Sequence, residues 1–372
     1  MKKVLHIPNY YNPHIGGIEQ TAEDIVDSLK GITENKVICF NRDKKTSFDE
    51  VNGVSVTRCG KKITILSQGI APDYNKNLKK IFKEYKPDYV IFHYPNPFVS
   101  HYLLKYLKKN KQIKFILWWH SDIVKQKLVR KLFEGQNKKL LKRADTIIAT
   151  SPNYVLGSKY LTTYKDKVHV IPSSVGVHQA NIDVVNNKIN AIKENNKGKK
   201  IIFALGRHVK YKGIEHLVKA SKYIPDDYMI YIGGKGPLTD ELMEMSKNDF
   251  KITFLGKMKN EDLEAYLSAC DVFAFPSVTK NEAFGLALAE AMLHHKPAVT
   301  FTIPGSGVNY VNLNGETGIE VANGDEKAFA EAIIKIASND NLKNTYGENA
   351  YNRVMSLFSK DAFKKEVIKL FS

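Results

Sequence analysis

The amino-acid sequence predicts an α/β protein of two domains, each built on a doubly wound parallel sheet. Short apolar runs rich in β-branched residues alternate with longer amphipathic stretches along the 372 residues. This alternation is typical of parallel sheets covered by helices. One Asn-, Lys- and Ser-rich segment interrupts it near the middle of the chain. We therefore expect a first domain at 1–172, a linker at 173–199, a second domain at 200–357 and a closing helix at 358–372.

The strands are predicted by the apolar runs themselves. In the first domain these runs are KKVLHI, KVICF, DYVIFHY, IKFILWWH, DTIIAT and KVHVI, and in the second KIIFALG, YMIYIGG, KITFLG, DVFAFPS and PAVTF. Helical patterns follow the first strand of each domain, as EQTAEDIVDSLK and KGIEHLVKASKYI. The last stretch, SKDAFKKEVIKLFS, predicts a helix with Ser359 or Asp361 near its start.

Nearly all of the net positive charge of the chain lies in its first half. The formal net charge is +17 at pH 7, and residues 1–180 hold 31 Lys and Arg against 15 Asp and Glu. The remaining residues hold 25 against 24. A basic half indicates an anionic partner such as a membrane surface, a phosphorylated acceptor or nucleic acid. A lysine-rich genome is the alternative, but it does not explain the restriction to one half.

The cysteines and the N-terminus indicate a cytoplasmic protein. The three cysteines, Cys39, Cys59 and Cys270, are spaced neither as a disulfide framework nor as a zinc site, which favours a reducing compartment. The apolar run after the first lysines is too short for a signal peptide or a membrane span. We interpret it as a buried first strand.

Basic stretches of the first domain interleave lysines with apolar and aromatic residues. These stretches are 76–86, 106–114 and 124–143. Because such stretches can lie on anionic lipid, we expect peripheral attachment to the cytoplasmic face of the inner membrane. The residues expected on this acceptor or membrane side are Asp122, Lys125, Lys127 and Arg130. The alternative is a solvated lysine-rich face and a soluble acceptor.

Two strand ends of the first domain carry candidate site residues. Ligands of open parallel sheets bind beyond the carboxyl ends of the strands. Gly16 and Gly17 follow the first strand and precede a helix, where a phosphate can approach the backbone closely. The spacing is not that of a dinucleotide-binding fingerprint or a P-loop, and glycine before a helix is common. His120 directly follows IKFILWW, and a strand-end histidine serves either structure or catalysis.

The strand ends of the second domain offer cations and glycines. Arg207 and Lys212 flank the turn after KIIFALG, and a guanidinium beside an ammonium suits a diphosphate. The alternative is a solvated basic loop. Gly234 and Gly256 end two further strands, either beside a base or ribose or in ordinary turns.

The segment SVTKNEAFGLALAE (277–290) places Glu282 before a predicted helix start and Glu290 inside the helix. The amides of residues 284–286 would then be free to bind a phosphate oxygen. The two carboxylates would accept hydrogen bonds from sugar hydroxyls. Such a site suits a ligand that is both anionic and polyhydroxylated.

At these motifs the chain resembles the retaining glycosyltransferases of family 4. The ordered elements are GGIEQ (16–20), HSDIVKQK (120–127), ADTIIATSPNY (144–154), GRHVKYKG (206–213), GGKGPL (233–238), FLGKM (254–258), PSVTKNEAFGLALAEAM (276–292) and GETGIEV (315–321). The E-x-F-G-x-x-x-x-E element is the most specific of them. The resemblance implies the GT-B fold, two facing Rossmann-like domains with a C-terminal helix that crosses back to the first. It is greatest to bacterial mannosyltransferases of O-antigen and exopolysaccharide assembly.

The resemblance also assigns roles to residues of this chain. It implies that Arg207 and Lys212 hold the donor diphosphate, that Glu290 binds the ribose hydroxyls and that Glu282 binds the transferred sugar. The remaining implied contacts are His120 at the reacting face of the sugar, the backbone of Phe284, Gly285 and Leu286 beside it, and Gly16 and Gly17 near the diphosphate and acceptor. The loop RHVKYKG is longer than the family's usual segment but compatible with it.

The expected reaction is hexosyl transfer with retention of configuration, from a nucleotide sugar to a saccharide acceptor that is lipid-diphosphate-linked. No Asp-x-Asp motif occurs, so we expect no metal and no other cofactor, with cations neutralising the leaving diphosphate. The donor favoured is GDP-mannose, with a UDP-hexose or UDP-N-acetylhexosamine as the alternative. A sugar-nucleotide epimerase shares the architecture, and a non-enzymatic protein binding anionic polymers would share the charge. No nucleic-acid-binding module is recognisable, so nucleic acid is not an expected partner.

Overall fold

The computed structural model describes residues 1–14, 16–65, 68–122 and 127–371, and the chain folds into two α/β units. The first unit comprises Met1–Ser173 together with Phe363–Ser372, and the second comprises Ser174–Ala362. Among the described residues, no helix combines the length and the apolar character needed to cross a lipid bilayer.

The first unit is built on an eight-stranded sheet. Its strands, with a separate two-stranded ladder β5–β6, are β1 (Lys2–Ile7), β2 (Thr33–Asn41), β3 (Ser47–Val51), β4 (Val54–Gly60), β5 (Ile63–Ile65), β6 (Gln68–Ile70), β7 (Tyr89–Tyr94), β8 (Lys114–Trp119), β9 (Thr146–Ala149) and β10 (Val168–Val170). The order is β10-β9-β8-β7-β1-β2-β4-β3, and only β3 runs antiparallel to its neighbour. The helices are α1 (Gly17–Ser28), α2 (Tyr74–Glu84), α3 (Pro97–Lys109), α4 (Lys127–Arg143) and α5 (Pro152–Gly157).

The second unit is a six-stranded, fully parallel sheet. Its elements are α6 (Ile182–Asn195), β11 (Lys200–Leu205), α7 (Ile214–Ala220), β12 (Tyr228–Gly233), α8 (Thr239–Met245), β13 (Ile252–Gly256), α9 (Asn260–Ala269), β14 (Val272–Phe275), α10 (Leu286–Leu293), β15 (Ala298–Phe301), α11 (Val308–Val311), β16 (Gly318–Val321), α12 (Glu326–Ala337), α13 (Asp340–Leu357) and the start of α14 (Lys360–Lys369). The order β13-β12-β11-β14-β15-β16 is the Rossmann order 3-2-1-4-5-6. The strand order reverses between β11 and β14, the position where such sheets bind ligands.

The strands are continuous apolar runs because helices cover both faces of each sheet. In β11 the four residues from Ile201 to Ala204 are all buried. Ten of the eleven residues of the core around β1, β7 and β8 are apolar aliphatic or phenylalanine side chains, and three of these, Phe363, Val367 and Phe371, come from the end of the chain. The predicted return of the C-terminal helix to the first domain is thereby confirmed.

Residues 182–195 lie in the segment predicted as a linker, but they form α6 and belong to the second unit. Asn181 caps this helix by accepting from the amides of Asp183 and Val184. Val185 is buried and Ile192 packs against the core of the unit. The many Asn and Lys residues that suggested a linker lie mostly on the exposed face of α6.

Candidate functional site

Loops from three strands converge at the carboxyl edge of the second sheet. Gly213, in the loop after β11, has a left-handed conformation (φ 62°) and lies against the loop after β14. A Cβ at this position would lie 2.1 Å from the Pro276 carbonyl oxygen. Gly234, after β12, is also left-handed, and a Cβ there would lie 2.0 Å from the Gly206 oxygen. Only glycine tolerates both the conformation and the contact. Gly256 ends β13, and its carbonyl accepts from the amide of Gly234 at 2.7 Å.

Lys212 and Glu282 form an ion pair at this edge. Lys212 Nζ lies 2.5 Å from Glu282 Oε2, and the side chains are only 13% and 11% exposed. The ammonium also lies 5.0 Å from the centroid of the Phe275 ring, and Ser277 Oγ donates to Glu282 Oε2 at 3.4 Å. Burial lowers the pKa of Lys212, but Glu282, Tyr211 and Glu290 together outweigh burial and raise this pKa above its ordinary value. Lys212 is therefore charged and held against Glu282.

This pairing brings together two residues to which the sequence assigned separate ligand contacts. An ammonium has three donor hydrogens, so Lys212 can hold Glu282 and still donate to a phosphate oxygen. Glu282 likewise keeps lone pairs for a hydroxyl. Within the pair, each charge is neutralised by the other.

Arg207 is the second cation at this edge, and it is exposed. Within the part of the chain that the structure describes, its guanidinium has no hydrogen-bond or ion-pair partner. Burial raises the pKa of Tyr211, while Lys212 and Arg207 both lower it. The two cations therefore both act on the same tyrosine, and Arg207 is available to a ligand.

The N-terminus of α10 adds backbone donors. Gly285 is its N-cap, in a left-handed conformation and without a side-chain capping bond, and the first helical hydrogen bond runs from Ala289 N to Gly285 O at 3.0 Å. No described residue accepts from the amides of Leu286, Ala287 or Leu288. Free amides at a helix N-terminus favour an anion. The Phe284 ring is buried, so only its backbone can face a ligand.

Glu290 lies one turn inside α10 and faces a histidine that the sequence did not single out. Its Oε1 is 3.6 Å from His178 Nε2, and the His178 amide donates to Glu264 Oε1 at 2.9 Å. Glu264 Oε2 lies 3.1 Å from His294 Nε2. The Glu290 carboxylate raises the pKa of His178, whereas burial and Lys360 lower it, and the pKa is raised on balance. No motif marks His178, because it follows an irregular segment.

In the first unit, Gly16 and Gly17 follow β1, and Gly17 is the first residue of α1. Gly16 is the N-cap, and its carbonyl accepts from Gln20 N at 2.8 Å. A Cβ at Gly16 would lie 2.3 Å from Glu19 Oε2. Burial raises the pKa of Glu19.

His120 emerges from the end of β8, as predicted, and is nearly buried. Its amide donates to Tyr94 O at 3.2 Å, and its Nε2 lies 2.9 Å from His93 Nδ1. Burial lowers the pKa of His120 to about 3, so the ring is neutral. The sequence predicts His93 only as part of the strand DYVIFHY, and nothing in that run distinguishes it.

Of the four residues predicted for the acceptor or membrane side, the structure describes the side-chain contacts only of Asp122. Asp122 Oδ1 accepts from Trp119 Nε1 at 2.9 Å and from Ser158 Oγ at 2.8 Å. Its carboxylate therefore makes hydrogen bonds within the first unit. Lys125 lies outside the described residues. Lys127 and Arg130 lie in the first turn of α4, and their side chains are outside the description.

Within the described ranges, no group of three or more His, Cys, Asp and Glu side chains is arranged to hold a metal ion. The expectation that the reaction needs no metal stays a prediction. The cysteines are all buried and free.

Family profiles match both halves of the chain. "Glycosyltransferase Family 4" matches residues 15–179 and "Glycosyl transferases group 1" matches residues 185–353. The O-antigen chain mannosyltransferase C of Escherichia coli is 30% identical over 377 residues, covering 100% of this chain and 98% of the relative. The chain belongs to glycosyltransferase family 4. The family assignment made from the motifs is thereby confirmed.

Two further similarities concern this family 4 glycosyltransferase. The D-rhamnosyltransferase WbpZ of Pseudomonas aeruginosa is 29% identical over 364 residues, covering 96% of this chain and 92% of the relative. The crystal structure of HepE from Anabaena with UDP and glucose matches with a TM-score of 0.76 at 16% identity, covering 100% of this chain and 99% of HepE. This structural likeness confirms the GT-B fold.

Proposed function

We propose that this glycosyltransferase moves mannose from GDP-mannose to a saccharide acceptor, with retention of configuration and without a metal ion, in the synthesis of a cell-surface polysaccharide. One observation carries the proposal. The Lys212–Glu282 pair, the exposed Arg207 and the free amides of α10 all lie at the carboxyl edge of a Rossmann sheet. Cations and amides suit a diphosphate, and carboxylates beside them suit hydroxyl groups.

The proposed roles divide the donor among these groups. Arg207 and Lys212 bind the diphosphate, Glu290 accepts from the ribose hydroxyls, and Glu282 accepts from hydroxyls of the transferred sugar. In the first unit His120 donates to an oxygen of that sugar. Gly16 and Gly17 allow the diphosphate and the acceptor to approach the backbone.

The proposed chemistry takes place on one face of the sugar. The bond between the anomeric carbon and the diphosphate oxygen breaks, and a bond to the acceptor oxygen forms on the same face. The acceptor proton passes to the leaving phosphate oxygen. The negative charge that develops on the leaving group is stabilised by Arg207, Lys212 and the α10 amides, which are already in place before the reaction.

Support for a hexose donor comes from the relatives, one named as a mannosyltransferase and the other as a D-rhamnosyltransferase. Mannose is proposed because the mannosyltransferase matches the whole chain. A UDP-hexose or UDP-N-acetylhexosamine remains the alternative donor. The choice depends on which nucleotide the second unit binds.

The acceptor is proposed to be a lipid-diphosphate-linked saccharide at the cytoplasmic face of the inner membrane. Helix α2 presents exposed lysines, but its apolar face, Tyr74, Leu78, Ile81 and Phe82, is buried within the first unit. This helix therefore has no free apolar face to insert into lipid. Attachment through it would be electrostatic and weakened by salt.

Calorimetric titration of UDP, GDP, dTDP and CDP without metal tests the donor site. We expect GDP to bind selectively, and Arg207→Ala to abolish that binding. Lys219→Ala, which removes one exposed charge on α7, is the matched control and should bind normally. Selective UDP binding would replace GDP-mannose by a UDP sugar, and binding of no nucleotide would overturn the proposal.

Product analysis with GDP-mannose and extracted lipid-linked saccharides tests the reaction. The anomeric configuration of the product, read by NMR, should match that of the donor. Arg207→Ala should lower turnover by about 10²–10³, the scale for loss of one electrostatic stabiliser. Conversion of the nucleotide sugar in the absence of acceptor would instead indicate an epimerase.

A further inference from the structure

A pair of buried histidines in the first unit bears on what His120 can do. His93 lies on β7 opposite Trp118 of β8, and His93 has no exposed surface. Its Nδ1 lies 2.9 Å from Nε2 of His120. The two rings stack with centroids 5.2 Å apart and planes inclined by 15°. The contact thus fixes both the position and the plane of the His120 ring.

Both imidazoles are neutral. Burial lowers the pKa of His120 to about 3. Burial, followed by the neighbouring His120 and His6, lowers the pKa of His93 well below its ordinary value. A neutral imidazole carries one N–H and one bare nitrogen. Within the pair one ring therefore donates and the other accepts.

The other nitrogen of His93 decides which ring donates. His93 Nε2 is buried and has no hydrogen-bond partner among the described residues. If His120 donated, the proton of His93 would be on this nitrogen, and an N–H would be buried without an acceptor. If His93 donates, only a bare nitrogen is buried. Unpaired buried N–H groups are the rarer defect in folded proteins, so donation by His93 is favoured.

His6, in the same core, shows the same arrangement. Its Nε2 lies 2.9 Å from Asn35 Oδ1, and Asn35 Nδ2 donates to Thr33 O at 3.3 Å, so Oδ1 faces His6 as an acceptor. His6 must therefore donate from Nε2, which leaves Nδ1 as the bare nitrogen. That Nδ1 is buried and without a partner within the described ranges.

We infer that His93 is a positioning residue that holds His120 in the tautomer with its proton on Nδ1, so that His120 offers a ligand a hydrogen-bond donor and not a base. The inference rests on the proposed function only for the identity of that ligand, an oxygen of the donor sugar. This tautomer agrees with transfer of the acceptor proton to the leaving phosphate, because neither nitrogen of the His120 ring is then free to accept that proton.

The tautomers are read directly by NMR of the wild-type protein labelled with ¹⁵N in histidine. Variants His93→Phe and His120→Asn assign the two rings among the 11 histidines. Both rings should show a protonated Nδ1 and a bare Nε2. A protonated Nε2 on His120 would overturn the inference. This measurement needs no substrate, so it stands or falls separately from the proposed function.

Kinetics with GDP-mannose separate positioning from a purely structural role. His93→Asn keeps an amide N–H close to the position of Nδ1, whereas His93→Phe keeps a ring and removes the donor. We expect His93→Phe to lower kcat by roughly ten- to a hundred-fold with little change in KM, and His93→Asn to restore most of kcat. Equal loss in both variants, in step with a lowered Tm, would contradict positioning. If the wild type turned over no nucleotide sugar, the proposed function would fail and the NMR result would still decide the tautomer.

Discussion

Removal of one partner from the Lys212–Glu282 pair should destabilise the second unit more than loss of an ordinary surface ion pair. The side chains are 13% and 11% exposed and 2.5 Å apart. Breaking a fully buried pair costs about 3–5 kcal/mol. Because both groups retain some solvent contact and Lys212 keeps the Phe275 ring, we expect Glu282→Leu to lower the free energy of unfolding by about 2–3 kcal/mol.

The double variant Lys212→Met/Glu282→Leu should recover most of this loss, because no uncompensated charge remains. Scanning calorimetry measures the effect as a fall in Tm of about 5–10 °C for the single variant of a domain of this size. The matched control is Glu331→Leu, which removes the pair Lys327–Glu331, 3.8 Å apart and 67% and 64% exposed. The control should change the free energy of unfolding by less than about 0.5 kcal/mol. Strict additivity of the single variants, or a loss no larger than in the control, would refute the reasoning.

Three further outcomes are expected. Because the pKa of His178 is raised, its pairing with Glu290 stabilises the second unit fully below pH about 6.5, and this contribution is lost as pH rises through the folded-state pKa. His178→Gln should remove the resulting fall in Tm with rising pH, and an unchanged pH dependence of Tm would contradict the pairing. Gly213→Ala should lower Tm and nucleotide affinity. Gly198→Ala should lower Tm less, because Gly198 also has a positive φ (78°) but no described atom would lie within 4 Å of its Cβ; equal effects would show that the contact with Pro276 is unimportant. In flotation assays, the protein should bind vesicles with phosphatidylglycerol and leave them as salt rises, while equal binding to neutral vesicles would exclude an electrostatic mode.

Much of the second unit was predictable because parallel strands buried on both faces leave long apolar runs. The runs KIIFALG and DVFAFPS became β11 and β14, and the residues after them form the site. The edge strands β3 and β16 escaped prediction, whereas the edge strands β10 and β13 correspond to the predicted runs KVHVI and KITFLG. The strand β3, for example, has three exposed residues in five, so its sequence SFDEV carries no continuous apolar signal.

The pairing of site residues was not predictable, because it depends on how distant loops meet. The sequence predicts Lys212 and Glu282 as separate ligand-binding residues, yet they are 70 positions apart in sequence and bind each other in the structure. His93 and His178 were missed for a related reason. Their importance comes from one neighbour each, His120 and Glu290, and a single sequence holds no record of such contacts.

The first unit is built from two separate segments of the chain, and this sets an order for folding during synthesis. The second unit is one uninterrupted segment, Ser174–Ala362, whereas the first needs Phe363–Ser372. Phe363, Val367 and Phe371 fill the core beside Trp118 and Ile148, and the ribosome makes them only after the whole second unit. The domain translated first is therefore the last to close its core, and its incomplete form exposes apolar surface to chaperones while the second unit is being made.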